Sequence, residues 1–164
     1  MVLNSPFRSH YDWGICFPRA IGGPVKGIDK RRGGGRTILV VDDNPEIRRA
    51  VSQAFLSDGF CICGEADNGR DAIRLCRELR PDIILLDLSM PIMNGLQAAP
   101  ELRQIAPRTP IVLLTMYGNA LQQDQAAALG INLVVSKYEA LSEVIEKVHA
   151  LLPQPPEKAE GVSA

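Results

Sequence analysis

Five polar side chains stand at the ends of short apolar runs in this sequence, and their types together suit phosphoryl chemistry. They are Asp42, Asp43, Asp87, Thr115 and Lys137. Crowded carboxylates repel one another unless a cation joins them, and a hard divalent cation such as Mg²⁺ prefers oxygen ligands. Asp87 would then be the nucleophile toward a phosphoryl group, whose oxygens the Lys137 ammonium and the Thr115 hydroxyl would hold.

None of these residues is diagnostic alone. An aspartate after a strand most often starts a turn, a threonine there is usually a cap, and a lysine there is usually solvated. The joint occurrence of an acidic pair, a further aspartate, a threonine and a lysine at four different strand ends is what favours a phosphoryl site over these structural interpretations.

The apolar runs must be strands for this hypothesis to hold. The run 83–86 is bracketed by Pro81 and Pro91, which indicates a strand buried on both faces and argues against a helix. Similar runs predict further strands at 38–41, 60–64, 111–115 and 131–135. Because ligands bind at the carboxyl ends of parallel strands, the five polar side chains would share one edge of the sheet.

Helical patterns separate the predicted strands. Asn44 is a natural N-cap before the first helix, and the fourth helix is predicted over residues 118–129. Pro100 falls within the third helix, where a kink or a late start is expected. Five strands alternating with five helices predict an α/β fold, a doubly wound parallel sheet with right-handed crossovers.

Composition indicates one globular domain with a basic arm. The chain has 164 residues, of which 23% are charged. Residues 1–36 carry seven basic and two acidic side chains, are Gly-rich and lack a period, so we expect a flexible arm that is more typical of a solvated tail than of a nucleic-acid site. The domain is predicted over 37–152, and the Pro- and Glu-rich stretch 153–164 is expected to be disordered.

Cysteine use and hydropathy indicate the compartment. The four cysteines form no Cys-x-x-Cys motif, which argues against a zinc site or a structural disulfide; they are Cys16, Cys61, Cys63 and Cys76. No apolar run approaches the roughly 20 residues that cross a bilayer, and the N-terminal residues lack the apolar core of a signal peptide. The sequence therefore favours a cytoplasmic protein with no membrane contact.

The sequence resembles bacterial response-regulator receiver domains over about residues 36–152. The similarity is carried by the strings ILVVDDNPEIRR, GEADNGRDAIRLCRELRPDIILLDLSMPIMNGLQA, TPIVLLTMY and VVSK. The resemblance implies a flavodoxin-like fold with strand order 2-1-3-4-5. It also implies a set of roles: phospho-acceptor Asp87, direct Mg²⁺ ligand Asp43, water-mediated ligand Asp42, a metal-binding backbone carbonyl at Ser89, and switch and phosphate-binding residues Thr115 and Lys137.

Within that family, the middle segment most resembles receivers that precede a helix-turn-helix DNA-binding domain. Only residues 153–164 follow the last predicted helix, too few for a DNA-reading unit, so no DNA-binding domain is expected in this chain. The chain is interpreted as a stand-alone receiver or a truncated one.

Two positions depart from the pattern of many receivers. Val134 stands where many have an aromatic residue that turns inward on switching, and Tyr138 replaces the proline that often follows the lysine, so a cis bond is not expected there. Tyr138 or Tyr117 could substitute as the moving ring, although a plain surface tyrosine is the favoured interpretation. The departures put the readout in question and leave phosphorylation intact.

The resemblance implies phosphorelay signalling. A sensor histidine kinase or a phosphotransfer protein would donate the phosphoryl group, and the added charge would draw Thr115 and Lys137 inward. The face between strand 4 and helix 5 would then bind an unidentified output protein or a second copy of the chain. The protein would not be a conventional enzyme and would catalyse only its own phosphorylation and dephosphorylation.

Two alternatives stay open at this point. The first is a receiver fold locked in one state that acts as a pure binding module. The second is an aspartate-nucleophile phosphatase, whose chemistry needs a second acid two residues after the nucleophile. This sequence has Ser89 at that position, which disfavours the phosphatase.

Overall fold

The computed structural model of the protein describes residues 35–116, 121 and 123–153. Most of the predicted arm and all but one residue of the predicted tail fall outside these ranges, so both stay predictions. No helix of the described residues is both long enough and apolar enough to span a membrane.

Strands and helices alternate along the described part of the chain. The strands are β1 (Thr37–Val41), β2 (Cys61–Ala66), β3 (Ile83–Asp87), β4 (Ile111–Thr115) and β5 (Leu133–Ser136). The helices are α1 (Pro45–Ser57), α2 (Gly69–Leu79), α3 (Gly95–Ile105), α4 (Gln123–Ala128) and α5 (Leu141–Leu151). All strand pairs are parallel and the order is β2-β1-β3-β4-β5, which confirms the predicted doubly wound sheet and its flavodoxin-like order.

The sheet is buried on both faces because its strand residues alternate between two apolar cores. Leu39 and Val41 of β1 pack with residues of α2 and α3, whereas Ile38 and Val40 pack with residues of α1 and α5. The same alternation along β3 and β4 explains why these strands read as uninterrupted apolar runs. The polar residues at the strand ends are thus held by a rigid, fully covered sheet.

Strand β2 differs from the prediction in its bounds and contains a bulge. The pairing register slips between Ile38 and Leu39, so that six residues of β2 face five of β1. Cys63 is the extra residue, and its thiol donates to the Ile38 carbonyl oxygen at 3.3 Å. The predicted strand, 60–64, began one residue too early and ended two residues too early.

The region around α4 also differs from the prediction. The helix has six residues, with Ala126 as its buried side chain, and the predicted start at Gly118 lies outside the described residues. Ile131, expected to open β5, instead donates its N–H to the Ala126 carbonyl oxygen, so β5 begins only at Leu133.

Helix α3 begins where its cap dictates and not at Pro100. The Asn94 side chain accepts from the Gln97 N–H, and the Gln97 side chain accepts from the Asn94 N–H. The predicted late start is therefore wrong, since the helix runs through Pro100 from Gly95. The kink expected as the alternative stays a prediction.

The three described cysteines, Cys61, Cys63 and Cys76, form no disulfide, and Cys16 lies outside the described residues. Burial raises the pKa of the Cys63 thiol to about 12 and also raises that of Cys76. Thiols so protonated are poor nucleophiles and poor metal ligands, which agrees with their interpretation as small core residues.

Helix α3 starts directly against the end of β3. The Gly95 N–H donates to the Leu88 carbonyl oxygen at 3.0 Å, and a Cβ at Gly95 would overlap the backbone carbonyl of Asp87. The missing side chain therefore lets α3 approach the strand end that carries Asp87.

Replacement of Gly95 by alanine should destabilise the fold by about 1–3 kcal/mol, since the backbone oxygen that the new methyl group meets cannot rotate away. Gly64→Ala is the matched control, because its methyl group would meet the flexible tip of Leu79 at 2.7 Å. Urea denaturation of both variants should give the larger loss for Gly95→Ala. Equal losses would contradict the role assigned to Gly95.

Candidate functional site

The sheet gathers the predicted residues at one edge. Asp42 directly follows β1, Asp87 ends β3, Thr115 ends β4 and Lys137 directly follows β5. Residue register aligns these ends, since Asp87 pairs with Leu114 and Thr115 pairs with Ser136. We refer to Asp42, Asp43, Asp87, Thr115 and Lys137 together as the strand-end site.

Three carboxylates of the strand-end site converge. Asp42, Asp43 and Asp87 each offer an oxygen such that all three oxygens lie within 4.8 Å of one another. Asp42 is 1% exposed and Asp87 is 3% exposed, whereas Asp43 faces solvent. Two buried acids and one exposed acid thus form a shallow acidic cup that opens outward.

Lys137 bridges the two buried carboxylates. Its Nζ lies 2.6 Å from Asp42 Oδ2 and 2.8 Å from Asp87 Oδ1, and its side chain is 7% exposed. The Lys137 N–H donates to the Thr115 carbonyl oxygen at 2.8 Å, which fixes the residue against the end of β4. One cation therefore offsets part of the negative charge of three acids.

Electrostatics within the site oppose the ionisation of Asp87. Burial raises the pKa of Asp87 above its ordinary 3.8, and the Asp42 carboxylate adds to that effect, although Lys137 and the Ser89 N–H act against it. Burial also works against the charged form of Lys137, but hydrogen bonds to Asp42 and Asp87 outweigh it, so the pKa of Lys137 is raised. These effects favour the neutral form of the Asp87 carboxyl group, whereas Lys137 stays charged.

The donor set fits a hard divalent cation. Asp42 Oδ2 is buried, and the contact described for it is with Lys137 Nζ at 2.6 Å. Oxygen ligands with surplus negative charge match the requirements of Mg²⁺. The carboxylates of Asp42, Asp43 and Asp87 could therefore hold this ion.

The remaining predicted residues adjoin the same edge. Thr115 is fully buried at the end of β4, next to β3 in the sheet. The backbone N–H of Ser89 donates to the Asp87 carboxylate, which brings this residue to the site. The metal-binding role of the Ser89 carbonyl stays a prediction.

The two departures from the usual pattern lie on either side of Lys137. Val134 is partly buried against the core cluster on the α2 and α3 side of the sheet. The Tyr138 side chain is 76% exposed, which confirms the favoured interpretation of a surface tyrosine. Tyr117 lies outside the described residues.

Sequence reasoning missed the residues that support Asp42. The Asn44 N–H donates to Asp42 Oδ1 at 2.9 Å, and Arg48 Nη1 donates to the Asp42 carbonyl oxygen at 2.7 Å. Only the N-cap role of Asn44 was predicted, and it is confirmed. One signal for Arg48 was present in the sequence, since this basic residue is the fourth residue of the helix that follows an acidic strand end.

Comparison with known proteins agrees with this geometry. The family described as "Response regulator receiver domain" matches residues 38–149. The chain is 32% identical over 115 residues to the chemotaxis protein CheY of Thermotoga maritima, covering 70% of this chain and 96% of that protein. It is 40% identical over 102 residues to the transcriptional regulatory protein YdfI of Bacillus subtilis, covering 62% of this chain and 46% of that protein.

A solved structure extends the comparison to the fold. The receiver domain of a sensor histidine kinase from Pseudomonas aeruginosa, with a magnesium ion coordinated in its active-site cleft, is 29% identical with a TM-score of 0.63, over 71% of this chain and 97% of that one. The chain spans about half the length of the curated transcriptional regulators that it matches.

Asp87→Asn should stabilise the metal-free protein at neutral pH. Because the folded-state pKa of Asp87 is raised, its stabilising contribution is present below pH 3.8 and is lost as the pH rises through the folded-state pKa. Asparagine does not ionise and so does not suffer that loss. The gain in unfolding free energy of Asp87→Asn over the parent should therefore shrink as the pH is lowered below 3.8. Chemical denaturation in EDTA at several pH values measures this, with the exposed Glu101→Gln as control; a pH-independent gain would contradict the interpretation.

Proposed function

The chain belongs to the response regulator receiver domain family, and from this premise we propose that it accepts a phosphoryl group on Asp87 in a Mg²⁺-dependent phosphorelay. Receiver domains serve two-component signalling and are generally not turnover enzymes. We propose accordingly that this protein catalyses only its own phosphorylation and dephosphorylation. The proposal concerns the receiver part of the chain.

The observation that carries the proposal is the pairing of a convergent acidic cup with one buried lysine. Asp87 is the member of the cup that ends the central strand β3 and that contacts Lys137 Nζ at 2.8 Å. A carboxylate nucleophile with a fixed cation beside it and two further acids within 4.8 Å is the donor set that phosphoryl transfer to an acid requires.

The transfer follows from the chemistry of the groups. Asp87 attacks the phosphorus of a phosphohistidine in line, so that a P–O bond forms as the P–N bond breaks. The donor imidazole keeps the electron pair of the broken bond and takes up a proton, and Asp87 becomes an acyl phosphate. Hydrolysis by water then returns the carboxylate and releases inorganic phosphate.

The residues at this edge of the sheet would have two kinds of role, binding Mg²⁺ and binding the phosphoryl oxygens. Asp42, Asp43, Asp87 and the Ser89 backbone carbonyl would hold Mg²⁺. When bound, the ion supplies positive charge that neutralises phosphoryl oxygens. Lys137 would hold one of the remaining oxygens, and the Thr115 hydroxyl would hold another. The magnesium seen in the related Pseudomonas aeruginosa receiver supports this assignment.

Phosphorylation would be read at the face between β4 and α5. The new charge competes for Lys137, which now contacts Asp42 and Asp87, and it draws Thr115 toward the cup. Both residues end or follow strands of that face, so its two arrangements differ in what they present to a partner. The donor is a histidine kinase or phosphotransfer protein, and the reader is an output protein or a second copy.

Acetyl phosphate with Mg²⁺ should add one phosphoryl group to the protein. The product should be cleaved by hydroxylamine, as acyl phosphates are, and intact mass spectrometry follows both steps. Asp87→Asn and chelation by EDTA should each abolish labelling, whereas the exposed Glu101→Gln should label as the parent does. Labelling of Asp87→Asn at the parental level would overturn the assignment.

Beryllofluoride, a phosphoryl mimic, should change amide exchange at the end of β4 and in the β5–α5 turn. Thr115→Val keeps the shape of a fully buried side chain and removes its hydroxyl, so it should bind the mimic but respond less. Hydrogen exchange with mass spectrometry measures both. An unchanged pattern in the parent with the mimic bound would favour the non-switching binding module instead.

A further inference from the structure

Arg48 lies beside the strand-end site without contacting its carboxylate cup. Its Nη1 donates to the backbone carbonyl oxygen of Asp42 at 2.7 Å, and its Nε faces Glu65 Oε2 at 3.3 Å. We propose that Arg48 is a positioning residue that holds the Asp42–Asp43 turn in the conformation that binds Mg²⁺. This inference rests on the proposed function and adds a residue to it.

The Asp42–Asp43 turn needs such a support because the residue pairing between β1 and β2 ends just before it, at Val41. The Asp42 N–H still donates to the Ala66 carbonyl oxygen at 3.0 Å, as a continuation of the β1–β2 pairing. The Asp42 carbonyl lies beyond the last ladder pair and before the first helical carbonyl, that of Asn44, which accepts from the Arg48 N–H. The guanidinium of Arg48 supplies the donor that neither the strand nor the helix provides.

The guanidinium is itself held in place. Glu65 of β2 accepts from Arg48 at one carboxylate oxygen and from the Ser52 hydroxyl at the other, the latter at 2.7 Å. Ser52 is buried on α1, one turn after Arg48, and the Arg48 side chain is 21% exposed. The chain of contacts thus runs from α1 to β2 and back to the end of β1, and it leaves Arg48 few alternative rotamers.

Electrostatics gives this support its function. Three carboxylates whose oxygens lie within 4.8 Å repel one another, so an unsupported turn would relax by moving Asp43 outward. A fixed Asp42 carbonyl would oppose this movement. Residues one shell beyond a metal ligand commonly change metal affinity by about 10–100-fold when they are lost.

The test compares variants of the full chain by calorimetric titration with Mg²⁺. Arg48→Ala should weaken Mg²⁺ binding by about 10-fold or more, whereas Arg49→Ala, which removes an exposed neighbouring arginine, should bind as the parent does. In the metal-free protein, Arg48→Ala should also speed amide exchange of Asn44, whose N–H donates to Asp42 Oδ1. A purely structural role would lower the unfolding midpoint and leave both readouts of the folded protein unchanged.

Two further variants separate position from charge. Arg48→Lys keeps the charge but lacks the planar fork that reaches both Glu65 and the Asp42 carbonyl, so it should recover only part of the affinity. Glu65→Gln removes the carboxylate charge that orients Arg48 and leaves one acceptor oxygen in place of the two that Arg48 and Ser52 use. This variant should weaken Mg²⁺ binding in the same direction, by less than Arg48→Ala. It keeps the test decisive if Arg48→Ala does not fold.

Three results would overturn the inference. Parental affinity in both Arg48→Ala and Glu65→Gln would remove its basis, and full recovery by Arg48→Lys would reduce the effect to charge. Equal losses in Arg48→Ala and Arg49→Ala would show a nonspecific charge effect. If the parent is labelled on Asp87 but the variants give any of these results, the proposed function stands and only the role of Arg48 is wrong. If the parent binds no Mg²⁺, both the role of Arg48 and the proposed function are wrong.

Discussion

The surrounding structure depends on one constraint, the mutual repulsion of three carboxylates at one edge of the sheet. At an effective dielectric constant of 20, two unit charges about 5 Å apart repel by roughly 3 kcal/mol, a sizeable fraction of the stability of a small domain. Lys137 offsets part of this cost by contacting Asp42 and Asp87 together. The remaining repulsion makes this edge a place where a divalent cation can be bound with a gain in free energy.

The fold withstands that repulsion because the acids sit on elements that cannot easily move. Asp87 ends a strand whose other four residues are fully buried, and α3 closes on its backbone through Gly95. Asp42 is held through its N–H by β2, through one carboxylate oxygen by Asn44 and through its carbonyl by Arg48. Preorganisation of this kind is what lets a site stabilise charge without first reorganising.

Much of this could be predicted from the sequence, since uniformly apolar runs and the polar residues that end them are local patterns. The parallel sheet and the convergence of Asp42, Asp87 and Lys137 followed from them directly. The bulge at Cys63 could not be predicted, because it depends on how β2 meets β1. The support of Asp42 by Arg48 could not either, since it links α1 and β2 through a backbone carbonyl that no side-chain pattern records.

The brevity of α4 has a consequence for the energetics of the molecule. Six residues form fewer than two helical turns, and Ala126 is the side chain that the helix buries. Short helices have little stability of their own, so detaching this one costs far less than global unfolding. The native ensemble should therefore open locally at the α4 flank more easily than at the edge that carries Asp42 and Asp87.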